Sequence, residues 1–156
     1  MGKRIENEIL HKGLLIFFVF SLFPLFTFAQ TGPTGNIEIR LTGLRSTQGK
    51  VSVNLFNSKE GFPDDPMKSF GWKSVKIVPD TVVIVFEDLP YGSYAVSVLH
   101  DENSNGKMEK NFFGIPKEGF AFSNNYAPRF KAPSFSDALI VLKEPKKRAE
   151  LKMIYY

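Results

Sequence analysis

Cysteine is absent from the 156-residue sequence. The chain therefore forms no disulfide, offers no thiol nucleophile and provides no thiolate ligand for a metal ion. The absence also excludes a lipid-modified N-terminal cysteine of the bacterial lipoprotein kind. A domain of this size must then be stabilised by its apolar core, by a metal ion, or by both.

Histidine is nearly as scarce. His100 is the only histidine beyond the first 29 residues, and one histidine without cysteine partners does not make a zinc site. A Ser-His-Asp triad would need His100 as its base, but the sequence has no G-x-S-x-G nucleophile elbow. We interpret His100 as a residue at the edge of the core that anchors a loop.

Only one long apolar run is present, at residues 14–29. It follows three basic residues, is interrupted by Pro24 and is shorter than the about 20 residues of a membrane span. The run ends in Thr-Phe-Ala, which places small residues where a signal peptidase cleaves. We therefore predict a signal peptide at residues 1–29 and a single exported domain, periplasmic or secreted, at residues 30–156. That domain would have no stable membrane span after cleavage; an uncleaved anchor is the alternative.

A large excess of one charge is also missing. The formal net charge is +4, and charges of both signs are mixed along the chain. The one basic cluster, K-E-P-K-K-R at residues 143–148, contains an acidic residue, and we interpret it as a solvated loop between two strands. The pattern predicts no nucleic-acid partner.

Helical periodicity is hard to find after residue 30, whereas alternation of apolar and polar residues is common. Alternating or wholly apolar stretches of strand length occur at residues 36–43, 50–57, 81–88, 92–100, 137–142 and 149–156. About seven short strands without a helix predict an all-β fold, an antiparallel β-sandwich. A small closed barrel would give the same pattern.

The turn L-P-Y-G-S-Y-A-V favours the sandwich. It places Tyr94 two residues after Gly92, at the start of a strand. This spacing is typical of a tyrosine corner, in which the hydroxyl group returns to a nearby backbone group. We therefore predict a structural role for Tyr94.

Two long connections, residues 57–72 and 101–136, do not follow the strand pattern. Compact domains seldom carry more than about 15 irregular residues without a function for them. The second connection begins with a D-x-N-x-N-G segment, which can direct three side-chain oxygens to one side of a tight turn. The predicted calcium ligands are the side chains of Asp101, Asn103, Asn105 and Glu109 and the carbonyl group of Lys107.

The match to a helical calcium loop is incomplete. The twelfth position, where a bidentate glutamate is expected, is Phe112. A site on a strand-to-strand loop could instead be closed by Glu109 or Glu118. With few charged ligands its dissociation constant should be about 10⁻⁴ to 10⁻³ M. The alternative is a plain polar turn with Asn105-Gly106 at its tip.

Aromatic residues follow the polar segment, within residues 111–130. They could form a platform for a ligand or fold back over the open end of the sandwich. We predict the capping arrangement, since exposed aromatic clusters reduce solubility. The polar residues predicted to form a loop or ligand surface in this region are Asn111, Glu118, Asn124 and Asn125.

Three consecutive stretches carry a resemblance to a known family. They are L-P-Y-G-S-Y-A-V-S-V-L-H-D, D-E-N-S-N-G-K-M-E-K-N-F-F-G-I-P-K-E-G-F-A-F-S-N-N and P-S-F-S-D-A-L-I-V-L. Over about residues 37–154 the chain resembles the uncharacterised exported bacterial family catalogued as domain of unknown function 2141. The resemblance implies an exported, immunoglobulin-like or transthyretin-like β-sandwich and implies no activity. It also couples the D-x-N-x-N-G segment to Asn111, Glu118 and the paired asparagines, which favours calcium over a plain turn.

Three functions are consistent with these patterns. The first is a non-enzymatic exported module of unknown ligand, whose loop is organised by calcium and binds a protein or a glycan. The second is a metal-free structural or accessory scaffold of the cell envelope. The third is a hydrolase that uses two carboxylates among Asp101, Glu109, Glu118 and Asp137. No spacing fixes two of these carboxylates at a useful distance, and Asp137 is better explained as a cap on the loop backbone.

Overall fold

A computed structural model describes residues 32–79, 81–128 and 131–156. The predicted signal peptide at residues 1–29 lies outside the described residues. Within the described residues the chain forms eight strands and two short 3₁₀ turns, Pro66–Lys68 and Ser123–Asn125. The strands are β1 (Thr34–Thr42), β2 (Lys50–Phe56), β3 (Gly71–Lys76), β4 (Val82–Pro90), β5 (Gly92–Asp101), β6 (Gly119–Phe122), β7 (Ile140–Leu142) and β8 (Lys146–Lys152).

Two sheets pack against each other. One sheet has the order β4-β1-β8, and the other has the order β3-β2-β5-β6, with β7 pairing with the first part of β5. All the described strand pairs are antiparallel except β1 with β8. The predicted antiparallel β-sandwich is therefore confirmed, with one parallel pair added where the chain crosses from β7 to the other sheet. No helix of the described residues is long and apolar enough to cross a membrane.

The core lies between the sheets and follows the predicted alternation. On β1 and β2 every second side chain is completely buried: Ile37, Ile39, Leu41, Val51, Val53 and Leu55. Each such side chain contributes about 1.5–3 kcal/mol to folding relative to an exposed one. Residues 32–156 form one compact unit with this core, so the unit can be prepared and studied without the N-terminal segment.

The tyrosine corner predicted at Tyr94 is present. Its hydroxyl group donates a 2.7 Å hydrogen bond to the carbonyl group of Pro90, at the turn between β4 and β5. Burial raises the pKa of Tyr94. Tyr94 therefore fixes the start of β5, the strand that leads into the polar loop.

The strand boundaries differ from the predicted ones in three places. β3 occupies the end of the predicted connection at residues 57–72 and continues beyond it, and β6 lies inside the predicted connection at residues 101–136. The basic cluster at residues 143–148 is a loop only as far as Pro145, because β8 begins at Lys146. Two of its basic side chains, Lys146 and Arg148, form ion pairs with Glu38 on β1.

Candidate metal and ligand site in the loop after β5

The loop between β5 and β6 is an ordered hairpin. Lys110 and Pro116 form an isolated antiparallel bridge, and the amide of Lys117 donates a 2.8 Å hydrogen bond to the carbonyl group of Glu109. The D-x-N-x-N-G turn at residues 101–106 precedes this hairpin. The two parts bring residues 101–109 close to Glu118 at the start of β6.

Asp101 fixes the D-x-N-x-N-G turn from within the protein. Its side chain is completely buried at the end of β5. Its Oδ1 accepts a 3.0 Å hydrogen bond from the amide of Asn105, and its Oδ2 accepts one of 2.8 Å from the amide of Gly106. The ammonium group of Lys50 lies 3.7 Å from Oδ2. Asp101 is thus the anchor of the turn.

Asn103 and Asn105 converge on Glu109. Oδ1 of Asn103 accepts a 3.0 Å hydrogen bond from the amide of Asn105. Oδ1 of Asn105 accepts one of 2.8 Å from the amide of Lys107. The Nδ2 group of Asn103 donates a 2.9 Å hydrogen bond to Oε1 of Glu109. The Nδ2 group of Asn105 donates to the same oxygen. Three of the predicted ligands therefore meet at one point. Lys107 is exposed on the same turn.

Glu118 completes this cluster from β6. Its side chain is 4% exposed, and its two oxygens accept hydrogen bonds from the amides of Glu102 (2.9 Å) and Glu109 (3.3 Å). Burial, together with a hydrogen bond between the Glu109 and Glu118 carboxyl groups, raises the pKa of Glu118. Hydrogen bonds from Asn103 and from Glu118 lower the pKa of Glu109. Of the two carboxyl groups, Glu118 therefore keeps its proton to the higher pH.

An open pocket of about 400 Å³ adjoins the carboxyl pair. Its lining residues are Arg45, Gln48, Glu102, Asn103, Glu109, Lys117 and Glu118. Arg45 binds Glu102 through two hydrogen bonds of 2.9 and 2.5 Å and also donates one of 3.0 Å to the carbonyl group of Lys117. The Arg45 contact lowers the pKa of Glu102. Arg45 therefore holds both ends of the loop together.

No sequence pattern predicts a role for Arg45 or Glu102. Glu102 occupies one of the unspecified positions of the D-x-N-x-N-G pattern. Arg45 lies in the connection between β1 and β2, 57 residues earlier in the chain. Only the pairing of β2 with β5 brings the two side chains together.

His100 has the anchoring position that the sequence predicted. It is completely buried. Its Nε2 lies 2.9 Å from the carbonyl oxygen of Gln48, so this nitrogen carries the hydrogen, and Nδ1 accepts from the hydroxyl group of Tyr155 at 2.6 Å. With both ring nitrogens bonded to the protein, His100 joins the turn before β2 to the C-terminal segment.

The other predicted surface residues serve the backbone. Asn124 donates to the carbonyl group of Leu139 at 2.9 Å, and Asn125 bonds Glu150 and Lys152 on β8. Asn111 lies in the hairpin, but the structure does not bring Asn124 and Asn125 to the D-x-N-x-N-G turn. Asp137 caps its own turn, because its Oδ2 accepts from the amide and hydroxyl groups of Ser134, which lower the pKa of Asp137.

The carboxyl groups of Glu109 and Glu118 offer oxygen ligands, which suit a hard cation, whereas Asn103 and Asn105 direct their Nδ2 groups to Glu109. Within the described ranges no three Asp, Glu, His or Cys side chains are grouped as a metal site. The loop instead combines two carboxyl groups in contact, Glu109 and Glu118, with the amide groups of Asn103 and Asn105. The residues present therefore fit a weak calcium site better than a tight one.

Raising the pH should destabilise the calcium-free protein through Glu118. Because its folded-state pKa is raised, its stabilising contribution is complete below the ordinary glutamate pKa and is lost as the pH rises through the folded-state value. Glu102 and Glu109 have lowered pKa values, so their contributions are lost only as the pH falls. Urea denaturation in chelator from about pH 5 to pH 8 measures the effect.

In that experiment the stability of the wild type relative to Glu118→Gln should fall as the pH rises, since glutamine cannot ionise. The control is Glu60→Gln, which removes an exposed glutamate that pairs with Lys68 outside the loop. Its pH profile should run parallel to that of the wild type. A parallel profile for Glu118→Gln would contradict the assignment of the proton to Glu118.

Comparison with known families gives one match. A family model described as an uncharacterized protein conserved in bacteria (DUF2141) matches residues 39–150. The matched range includes the whole hairpin, the pocket residues and six complete strands, β2 to β7. No curated protein and no solved structure matches the chain.

Proposed function

Because the chain belongs to the bacterial DUF2141 family, whose description assigns no activity, we propose a function from the loop itself. The protein is an exported, non-enzymatic β-sandwich module in which residues 101–118 bind one calcium ion weakly. Export follows from the predicted signal peptide at residues 1–29. The calcium-organised loop presents a binding surface to a protein or a glycan.

The placement of Glu109 and Glu118 beside one pocket, with the amide of Glu109 donating to Oε2 of Glu118 at 3.3 Å, carries this proposal. Neighbouring carboxylates repel each other, and a bound cation would compensate their charge. The Nδ2 groups of Asn103 and Asn105 donate to Glu109 in this structure, so both side chains would turn their oxygens toward a bound ion.

The residues that would hold the ion are the five predicted ligands together with Glu118. Bound calcium would supply positive charge, so that Glu118 releases its proton and the loop no longer depends on protonation. Asp101 has both oxygens engaged by backbone amides, so its main contribution is to shape the turn. The small number of charged ligands keeps the expected dissociation constant near about 10⁻⁴ to 10⁻³ M.

A metal-free scaffold is the second candidate, and one observation favours it. Among the described residues every buried side-chain nitrogen or oxygen has a hydrogen-bond partner, and Arg45 already ties the loop ends together. A hydrolase is less consistent with the geometry. Both oxygens of Glu118 accept backbone amides and Glu109 accepts two asparagine side chains, so both carboxyl groups are engaged in holding the loop.

A thermal melt of residues 32–156 in chelator and then in about 5 mM calcium tests the proposal. For a dissociation constant near the expected range, mass action adds about 1–2 kcal/mol of stability. For a domain of this size that corresponds to a rise in Tm of about 3–10 °C. The same concentration of magnesium should produce a smaller rise, since magnesium gives up its water shell reluctantly.

Two variants separate binding at the loop from a general effect of the ion. Glu109→Gln should lose most of the calcium-dependent rise while keeping its Tm in chelator near that of the wild type. Glu60→Gln makes the same chemical change outside the loop and should keep the full rise. An unchanged Tm of the wild type in calcium would favour the metal-free scaffold, as would an equal rise for Glu109→Gln.

A further inference from the structure

The tip of the hairpin carries two exposed aromatic rings. Phe112 is 97% exposed and Phe113 is 82% exposed. Their rings touch edge to face with centroids 5.5 Å apart, and the partly exposed Ile115 follows. Large apolar side chains that are grouped and exposed mark an interaction surface more often than chance. We refer to residues 111–115 as the aromatic tip.

The exposure of the aromatic tip does not come from a loose backbone. Oδ1 of Asn111 accepts hydrogen bonds from the amides of Phe113 (2.9 Å) and Ile115 (3.0 Å). The backbone of Asn111 also bonds Gly114 and Ile115, and Gly114 has φ = +78°, which closes the turn. The two rings are therefore held outward in a fixed arrangement, which lowers the entropic cost of binding.

Cationic side chains lie on both arms of the hairpin and on the turn that precedes it. Lys107, Lys110 and Lys117 are exposed, and none forms an ion pair with another described residue. Of the neighbouring acidic side chains, Glu102 is paired with Arg45 and Glu118 is buried. Glu109 accepts hydrogen bonds from two asparagines. The aromatic tip is therefore flanked along the hairpin by exposed lysines that no described acidic side chain pairs with.

We propose that the aromatic tip docks on the surface of an anionic lipid bilayer. Phe112 and Phe113 enter the boundary between headgroups and acyl chains, and the three lysines bind the anionic headgroups. Exposed aromatic rings flanked by lysines complement an anionic membrane surface. A protein partner would instead need an apolar pocket lined with acidic residues. The attachment is peripheral, and it needs no calcium because Asn111 alone holds the tip.

Sedimentation of residues 32–156 with vesicles tests this docking. The vesicles are equimolar phosphatidylglycerol and phosphatidylcholine, with pure phosphatidylcholine as the neutral comparison, all in chelator. We expect binding to the anionic vesicles that is at least about tenfold stronger than binding to the neutral ones, and that weakens as salt is added. Equal binding to both, or no binding to the anionic vesicles, would overturn the proposal.

Matched variants assign any binding to the aromatic tip. Phe112→Ser combined with Phe113→Ser should reduce the partition coefficient at least about tenfold, and Lys110→Glu with Lys117→Glu should do the same on anionic vesicles. The control is Met67→Ser, a methionine that is 90% exposed on the 3₁₀ turn before β3, which should bind like the wild type. All these positions are exposed, so the Tm of each variant should stay near that of the wild type. Equal loss in the Met67→Ser control would overturn the assignment.

Fluorescence gives a second and direct reading of insertion. The sequence has one tryptophan, Trp72, which lies on β3. A Phe112→Trp variant in a Trp72→Phe background places the reporter on the aromatic tip. Its emission should shift to shorter wavelength with anionic vesicles, and Trp72 in the wild type should not shift. An unshifted emission at position 112 would point to a protein as the partner and overturn the membrane proposal. Because chelator is present throughout, the result is independent of the calcium proposal.

Discussion

Replacing Asp101 by alanine should lower the free energy of unfolding by about 3 kcal/mol in the absence of calcium. The carboxylate is completely buried and accepts the amides of Asn105 and Gly106. Hydrogen bonds to a charged group contribute about 1.5–3 kcal/mol each. The lower end applies here because Asn105 and Gly106 are exposed and water can reach their amides once the carboxylate is removed.

Two further variants separate the burial of Asp101 from its hydrogen bonding. Asp101→Asn keeps one oxygen acceptor and should lose about half as much stability. Asp65→Ala removes a carboxylate that also accepts one backbone amide, that of Met67 at 3.1 Å, but on an exposed 3₁₀ turn. It should lose about 1 kcal/mol or less. Equal losses for Asp101→Ala and Asp65→Ala in urea denaturation would show that the D-x-N-x-N-G turn is not held from the core.

The same reasoning determines which variants report on calcium. Asp101 supports the turn whether or not an ion is bound, so its removal changes the fold of the loop as well as its ligands. Glu109 is exposed to solvent on part of its side chain and bonds only Asn103, Asn105 and the Glu118 carboxyl group through its own carboxylate. The loss of a calcium response in Glu109→Gln is therefore the cleaner evidence for a metal site.

The strands that could be predicted from the sequence are those in which every second side chain is buried. In β1 and β2 a strand period of two places alternate residues in the core, and the sequence shows this directly. β3 is an edge strand with only Gly71 and Val75 partly buried, so its sequence carries almost no alternation. β6 has four residues, all buried, and a short apolar run between glycine and serine does not distinguish a strand from a loop.

The site divides in the same way between local and distant contacts. A tight turn brings together four side chains that are close in sequence: Asp101, Asn103, Asn105 and Glu109. A local sequence motif can therefore predict that they meet. The salt bridge of Arg45 with Glu102 depends on strand pairing, which no local pattern encodes. Phe120 and Phe122, two of the aromatic residues predicted to cap the sandwich, are buried on β6. The capping prediction is wrong for Phe112 and Phe113, because the turn at Asn111 and Gly114 directs them to solvent.

Gly49→Ala should be at least as damaging as Asp101→Ala, with an expected loss of about 3–4 kcal/mol. Gly49 has φ = +68°, which costs an alanine about 1–2 kcal/mol. An added Cβ would also overlap the carbonyl oxygen of Asp101 and lie 2.7 Å from Cα and C of Glu102. All three are backbone atoms, so no side chain can move aside, and overpacking of this kind adds about 1–3 kcal/mol.

Gly114→Ala is the matched control for this steric effect. Gly114 has a similar φ of +78°, but nothing lies within 4 Å of its added Cβ. It should therefore lose only the conformational part, about 1–2 kcal/mol, in urea denaturation in chelator. The difference between the two variants measures how closely the turn before β2 packs on the D-x-N-x-N-G turn. Equal losses would mean that the backbone at Asp101 and Glu102 can shift freely. In that case the bond from His100 to the carbonyl group of Gln48 would not be needed to position the loop.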